Sequence, residues 1–440
     1  MEAKVFDTII GIDVFSTNTP GIGGRLRVHP EDFIVQEIGS DGVVAPLEPT
    51  EEHFPDQPGK FMAFFLVKRN IDTIQAIHRL SKALRVSYKR FSYAGIKDRR
   101  ALTSQRVTLY RGTYNDLVDL DIPKIWILHP HRVPKPVLSG AHYGNRFRII
   151  IRKLEVTEET RTRITEITNY YKQQGGVLNF FGPQRFGIVN PTTHLIGKHL
   201  VLGNLEEAIH ILTRSPDEAP QTSKEEIEKN EPRVQYLGHH PNRFFERAVT
   251  HYLAKHPGDL QGCLSVLPKG LVRLYVHAYQ SYLFNRAVSE RVKQGISLTQ
   301  PCIGDFVVPF PGEIYSTRMV TRKTLASARQ KVLNERYKIV IPLIGYDFEN
   351  ITFNGPMGEI LKKLLAQEQV TPANFRSTHI PELSSRGSFR PLLVNPTNLQ
   401  SSITEEKSEK IVTISFDLLK GSYASVILRE FIKPRLITQL

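Results

Sequence analysis

The chain of 440 residues has two cysteines, Cys263 and Cys302, one tryptophan and four methionines. Two thiols close at most one bridge, and neither sits in a CxxC or Cys/His spacing, which excludes a disulfide-stapled scaffold and a structural zinc module. Long apolar runs are also missing. The longest uncharged one, Phe61 to Val67, is far short of the roughly 20 residues that a membrane helix needs. The acidic start Met1 to Asp7 lacks the basic n-region of a signal peptide. These absences lead us to expect a soluble protein of the reducing cytoplasm with no membrane partner. The phosphate-cradling patterns are absent as well. Gly21-Ile22-Gly23-Gly24 runs on to Leu26 where GxGxxG requires glycine, and no GxxxxGK[ST] occurs, so no nucleotide cofactor is expected. His129-Pro130-His131 and His239-His240 lack partner ligands at zinc spacing, and no metal is expected either.

What is present is basic. Lysine and arginine number 58 against 44 acidic residues, a formal excess of +14 that points to a polyanionic partner. Apolar residues at 40% and charged residues at 23% match ordinary globular domains and exclude a disordered or collagen-like chain. The length exceeds one hydrophobic core and predicts two to three domains of roughly 100 to 200 residues each.

Periodicity gives a coarse map. Ile74, Ile77, Leu80 and Leu84 recur at helical spacing and predict a helix over Ile71 to Leu84. A strand Phe91 to Ala94 follows. Gly95 ends it and opens the loop Ile96 to Arg100, before a second β-like run containing Val107, Leu109 and Tyr110. Thr157 as N-cap, the stripe Ile164, Ile167 and Tyr171, and the stop Gly175-Gly176 predict a helix ending at Gln174. Leu205 to Val234, with the charge run Lys224 to Lys229, is expected to be an exposed connection or flanking helix. Helices are expected at His239 to Lys255, Leu271 to Lys293 and Ser422 to Ile432. Strands are expected at Phe306 to Pro309, Tyr337 to Leu343, Arg390 to Val394 and Ile411 to Leu418.

Two stretches carry chemistry. In Tyr93 to Gln105 a single carboxylate, Asp98, sits among Lys97, Arg99 and Arg100. Neighbouring cations favour the ionised form, which suits a nucleophile or base, although a turn aspartate making surface ion pairs fits the same residues. In Gly175 to Gly187 three phenylalanines, Asn179, Gln184 and Arg185 lie within a frame of glycines and proline. Aromatic faces stack on extruded bases, amides read base edges and Arg185 can bind phosphate, the toolkit of single-stranded RNA recognition; a turn with a small aromatic core is the competing reading. Arg25, Arg27, Lys89, Arg90, Arg99 and Arg100 are further candidates for backbone phosphates.

Ala94-Gly95-Ile96-Lys97-Asp98-Arg99-Arg100-Ala101-Leu102-Thr103-Ser104-Gln105 closely resembles the AGxKDxxAxTxQ catalytic signature of the TruD family of RNA pseudouridine synthases. Asn179 to Gly187 resembles that family's NxFGxQRFG segment and Pro30 to Glu37 its PEDFxVxE segment. His277 to Arg286 and Gly421 to Glu430 resemble later family motifs, so the likeness spans nearly the whole chain. The resemblance implies an isomerase that converts uridine to pseudouridine in tRNA, at uridine 13, without a cofactor and with a flipped-out base. It implies that Asp98 is the catalytic aspartate, that Phe181 stacks on the target uracil, that Asn179 supports the active-site loop and that Phe33 packs beside the pocket or substrate. Arg27 is implied as the basic residue near the carboxylate, with Lys97 as the other cation able to fill that place. It also implies an α+β fold, a catalytic domain whose mixed, largely antiparallel sheet is flanked by helices and interrupted by an α/β insertion (TRUD) domain, divided as 1–196, 197–385 and 386–440. Oligomeric state is left open, with a monomer expected. The rival from another class is a non-catalytic protein that binds structured RNA and has no need of Asp98.

Overall fold

Nearly continuous burial along Phe33–Ile38 (β1), Phe61–Arg69 (β2) and Leu102–Tyr110 (β4) makes these the central strands of a sheet, covered there on both faces. The computed structural model describes residues 5–187, 191–213, 244–310, 316–406 and 409–434. The chain forms two compact units, Thr19–Gly176 with Asn395–Leu440, and Met1–Asn18 with Val177–Val394. The first contains β1, β2, Phe91–Tyr93 (β3), β4, Ile125–Val133 (β5), Gly144–Ile151 (β6), Thr397–Glu406 (β13) and Glu409–Leu419 (β14), seven of them in the order β13-β14-β6-β1-β4-β2-β5 and β3 pairing with β4 beside that path. Only β1 and β4 pair in parallel, so the sheet is mixed and largely antiparallel, as expected. β1 pairs with Leu102 to Ser104 and β3 with Val107 to Leu109, which leaves the loop after β3 beside the start of β4.

One face of β2 and β4 is closed by the helix Thr73–Ala83. Its Ala76, Ile77 and Leu80 pack with Phe64, Leu66, Phe91, Val107 and Leu109. The helix begins after Ile71 because Asp72 caps it, accepting from the Gln75 amide at 2.9 Å. Ile74, expected on the apolar stripe, is 45% exposed, because the buried face is centred on Thr73, Ala76, Ile77 and Leu80. The helix Glu158–Gln174 is capped by Thr157 and buries Ile164, Ile167 and Tyr171, while Gly175 terminates it at φ +66°, where a side chain is disfavoured.

In the other unit, Ser388–Pro391 (β11), Tyr337–Leu343 (β10), Phe306–Pro309 (β8) and Arg318–Met319 (β9) form an antiparallel sheet in that order. Val177–Leu178 (β7) pairs with Leu393–Val394 (β12). The expected single strand Arg390 to Val394 is therefore two short ones, which bond to different partners on either side of Leu392. The pairing of β7 with β12 carries residues 177 and 394 into this unit. The long helix Lys269–Lys293 packs on the helices Thr193–Val201 and Gly355–Gln367 and on β10. Leu205–Thr213 and Phe244–Lys255 are helical. The charge run Lys224 to Lys229 and His239-His240 lie outside the described residues. Among the described residues no helix is long and apolar enough to cross a membrane, and no group of three or more potential ligands is placed to hold a metal.

Candidate active site

The loop between β3 and β4 owes its shape to side chains from outside it. Gln105 of β4 donates to the Gly95 carbonyl at 2.8 Å and accepts from the Thr73 hydroxyl at 2.8 Å. That hydroxyl in turn accepts from the Lys97 amide at 2.9 Å. The glutamine of the signature and Thr73 thus tie the turn at Gly95 and at Lys97 to the start of the helix Thr73–Ala83. Asp98 emerges from this frame with its carboxylate 44% exposed and its Oδ2 3.2 Å from Arg27 Nη2.

Arg27 lies over the Phe33 ring, 4.0 Å from Cζ to the centroid, and Phe33 itself is buried against Phe147. The resemblance set Phe33 beside the pocket or substrate; here it is the platform under the guanidinium, a cation–π contact that fixes the cation beside Asp98. Burial lowers the Arg27 pKa first, Asp98 raises it and the Arg100 charge lowers it again, so the carboxylate is its main electrostatic support. Arg27 also adopts φ +55°, a left-handed backbone costing about 1–2 kcal/mol for a side-chain-bearing residue. Arg27→Gln should slow single-turnover pseudouridine formation about 10- to 100-fold, less than the loss of a fully enclosed donor because Asp98 is half-exposed. Filter binding should find tRNA affinity little changed; weakened binding at an unchanged rate would make Arg27 a phosphate contact instead.

Lys97 does not stand beside the carboxylate. Its ammonium turns inward, 3.0 Å from Glu37 Oε2 and 2.5 Å from Asn145 Oδ1, with both ion-pair partners at most 5% exposed. Glu37 and Asn145 are cross-strand neighbours on β1 and β6, so their side chains share a face and meet the lysine together. Of the two cations considered, Arg27 is the one at Asp98.

Lys68 was not singled out from the sequence. Fully buried on β2, it donates to the carbonyls of Ile71 at 2.7 Å, Lys97 at 3.2 Å and Asp98 at 2.7 Å. Burial lowers its pKa from the ordinary lysine range to about 8, against the opposing pull of Asp98 and Asp72, while Lys97 lowers it further. Strand parity was the available signal, since Lys68 shares the core-facing side of β2 with Phe64 and Leu66.

Asn179, Phe181 and Arg185 belong to the other unit. Asn179 Nδ2 donates to the Pro391 carbonyl at 3.0 Å and Oδ1 accepts from Arg390 at 2.6 Å, which ties the loop to β11. Phe181 is 7% exposed, with Arg390 Cζ 4.1 Å from its ring centroid and Phe284 edge-on. The resemblance cast it as a platform for uracil; in this structure the ring is buried, because Arg390 covers it and Asn285 Oδ1 accepts from its amide at 2.8 Å. Arg185 donates to the Ser281 hydroxyl at 3.2 Å and lies 5.8 Å from the same ring. Arg390 had no sequence signal. Asn285 lay within a recognised motif, but without a role. Among the expected phosphate contacts, Arg25, Lys89, Arg99 and Arg100 are exposed, whereas Arg90 is engaged with the carbonyls of Tyr110 and Arg111.

The comparisons with known proteins identify the class as a pseudouridine synthase. Residues 9–431 match the model of the family described as tRNA pseudouridine synthase D (TruD), and the chain belongs to that family. It is 37% identical over 453 residues to a probable tRNA pseudouridine synthase D of Methanosarcina acetivorans, with 98% of each chain covered. It is 32% identical over 428 residues to that of Thermococcus onnurineus, covering 95% of this chain and 97% of the other. The crystal structure of the putative tRNA pseudouridine synthase D of Methanosarcina mazei superposes with a TM-score of 0.80 at 34% identity, with both chains covered completely.

Proposed function

We propose that this protein isomerises uridine to pseudouridine in tRNA, at uridine 13, with Asp98 as the catalytic carboxylate. The single observation that carries the assignment of Asp98 is its half-exposed carboxylate, presented by a loop anchored at Gly95 and Lys97 and paired with a largely enclosed, ring-supported arginine. The reaction breaks the N1–C1′ bond, turns the base and joins C5 to C1′; nothing is oxidised and no group is donated. One carboxylate suffices, whether it attacks C1′, adds to C6 or removes a proton on the way to a glycal. Extruding the nucleotide costs a few kcal/mol, offset by stacking on an aromatic. Phe181 is the candidate for that role once Arg390 yields a ring face. The unit Thr19–Gly176 with Asn395–Leu440 supplies the catalytic carboxylate, and the remainder includes the insertion. Membership of the tRNA pseudouridine synthase D family disfavours a purely RNA-binding role.

Incubating the purified protein with unmodified tRNA and mapping pseudouridine by carbodiimide-blocked primer extension tests this reading. A stop at uridine 13 is expected; a stop elsewhere corrects the site, and none at all removes the activity. The charge balance adds a salt prediction. Contacts from Arg25, Lys89, Arg99 and Arg100 should give a plot of log affinity against log salt with a slope of about −3 to −4, measured by filter binding between 50 and 200 mM. A flat plot would remove these residues from the phosphate contacts.

A further inference from the structure

Lys68 is a buried cation whose hydrogen bonds all go to backbone. Its side chain is fully enclosed, yet its three N–H groups meet only carbonyl oxygens, those of Ile71, Lys97 and Asp98. Enclosing an ammonium without a contacting carboxylate is unfavourable, so stability alone is a poor reason for a lysine here. Two of the acceptors are the carbonyls on either side of the Asp98 α-carbon. Holding both fixes the peptide planes that determine where the carboxylate points.

We propose that Lys68 is a positioning residue for the isomerisation, its ammonium clamping the backbone on both sides of Asp98 so that the carboxylate is aimed before the substrate arrives. The proposal rests on Asp98 being the reacting group. Gln105 and Thr73 hold the loop at Gly95 and at the Lys97 amide, so the clamp acts at the one stretch they leave unfixed. Burial brings the Lys68 pKa down to about 8; of the charged groups facing it, Asp98 and Asp72 oppose that shift and Lys97 adds to it. Because this value lies below the ordinary range, the proton leaves the native lysine as pH rises through about 8. A neutral amine then has two N–H groups for three carbonyls, and the clamp loosens.

The test compares wild type, Lys68→Met and Lys68→Arg as full-length proteins, measuring single-turnover rate from pH 6.5 to 9.5, tRNA affinity and cooperative thermal melting. Lys68→Met is expected to be about 100-fold slower at pH 7, a misplacement effect, with tRNA affinity within about threefold of wild type. The wild-type rate should decline above about pH 8, and Lys68→Arg should lack that decline because guanidinium does not titrate there. A cooperatively melting Lys68→Met with the wild-type rate, or one whose slowing is matched by weaker binding, overturns the proposal. Should Lys68→Met fail to fold, the pH profiles decide, and the same alkaline limb in wild type and Lys68→Arg overturns it. Asp98→Ala, run alongside, separates the two ideas. An active Asp98→Ala removes the reading on which the proposal rests, whereas an inactive one beside an unaffected Lys68 series removes only the clamp.

Discussion

Asp98→Ala is expected to bind unmodified tRNA within about threefold of wild type and to form pseudouridine at least about 10⁴-fold more slowly, a loss typical of removing a reacting group that acts in concert with its surroundings. Affinity should survive because phosphate contacts come from the exposed arginines and lysine, and deleting one anion takes none of them away. Asp98→Asn is the sharper variant. It keeps the shape and an oxygen able to accept from Arg27 Nη2, 3.2 Å away, but it offers neither a nucleophile nor a base. Equal inactivity of the two variants, read by primer extension after carbodiimide treatment, separates chemistry from loop support. If the asparagine variant retains substantial turnover, the carboxylate is not the reacting group and Asp98 serves as an anchor for Arg27.

Lys97→Met should cost about 3–5 kcal/mol of stability, the price of leaving a buried carboxylate without its cation. Glu37 is 3% exposed and its other oxygen already accepts from the Arg106 amide at 3.2 Å, so it has little room to turn toward water. Denaturant unfolding should show the loss as a lower midpoint. The double variant Lys97→Met/Glu37→Gln should recover much of it, because the uncompensated charge is then gone. A single variant as stable as wild type would mean that water or another cation already compensates Glu37. Such a result would reopen Lys97 as a partner for Asp98 or RNA.

The parts of the fold legible in the sequence were those with local causes. The helix Glu158–Gln174 has its cap at Thr157 and its stop at Gly175, and the strands Phe306–Pro309 and Tyr337–Leu343 fall at their expected bounds. Each is specified by a few consecutive residues through capping or periodicity. The helix at Thr73 began later than its apolar period indicated because a single cap residue, Asp72, outweighed Ile71. Ile74 remained exposed because which face of a helix is buried is chosen by the sheet it meets. Motif order likewise placed Asp98, Phe33 and Arg27 in one proposal, and the structure brings these three side chains together.

The destinations of the charged side chains were not legible. Lys97 and Asp98 are adjacent in sequence, yet one ammonium is buried against β1 and β6 while the neighbouring carboxylate faces solvent. Lys68 reaches a carbonyl 30 residues away, and Arg390 reaches an amide oxygen 211 residues away. Charge pattern along a chain is one-dimensional, and the sign of a group says nothing about which strand will lie across from it. The sequence alone determined the family and the basic character suited to RNA and supplied the candidate carboxylate, because composition and contiguous motifs carry all three. Only the tertiary structure decided which cation accompanies Asp98 and which lysine grips its backbone, because burial and pairing are set when distant strands close into one sheet.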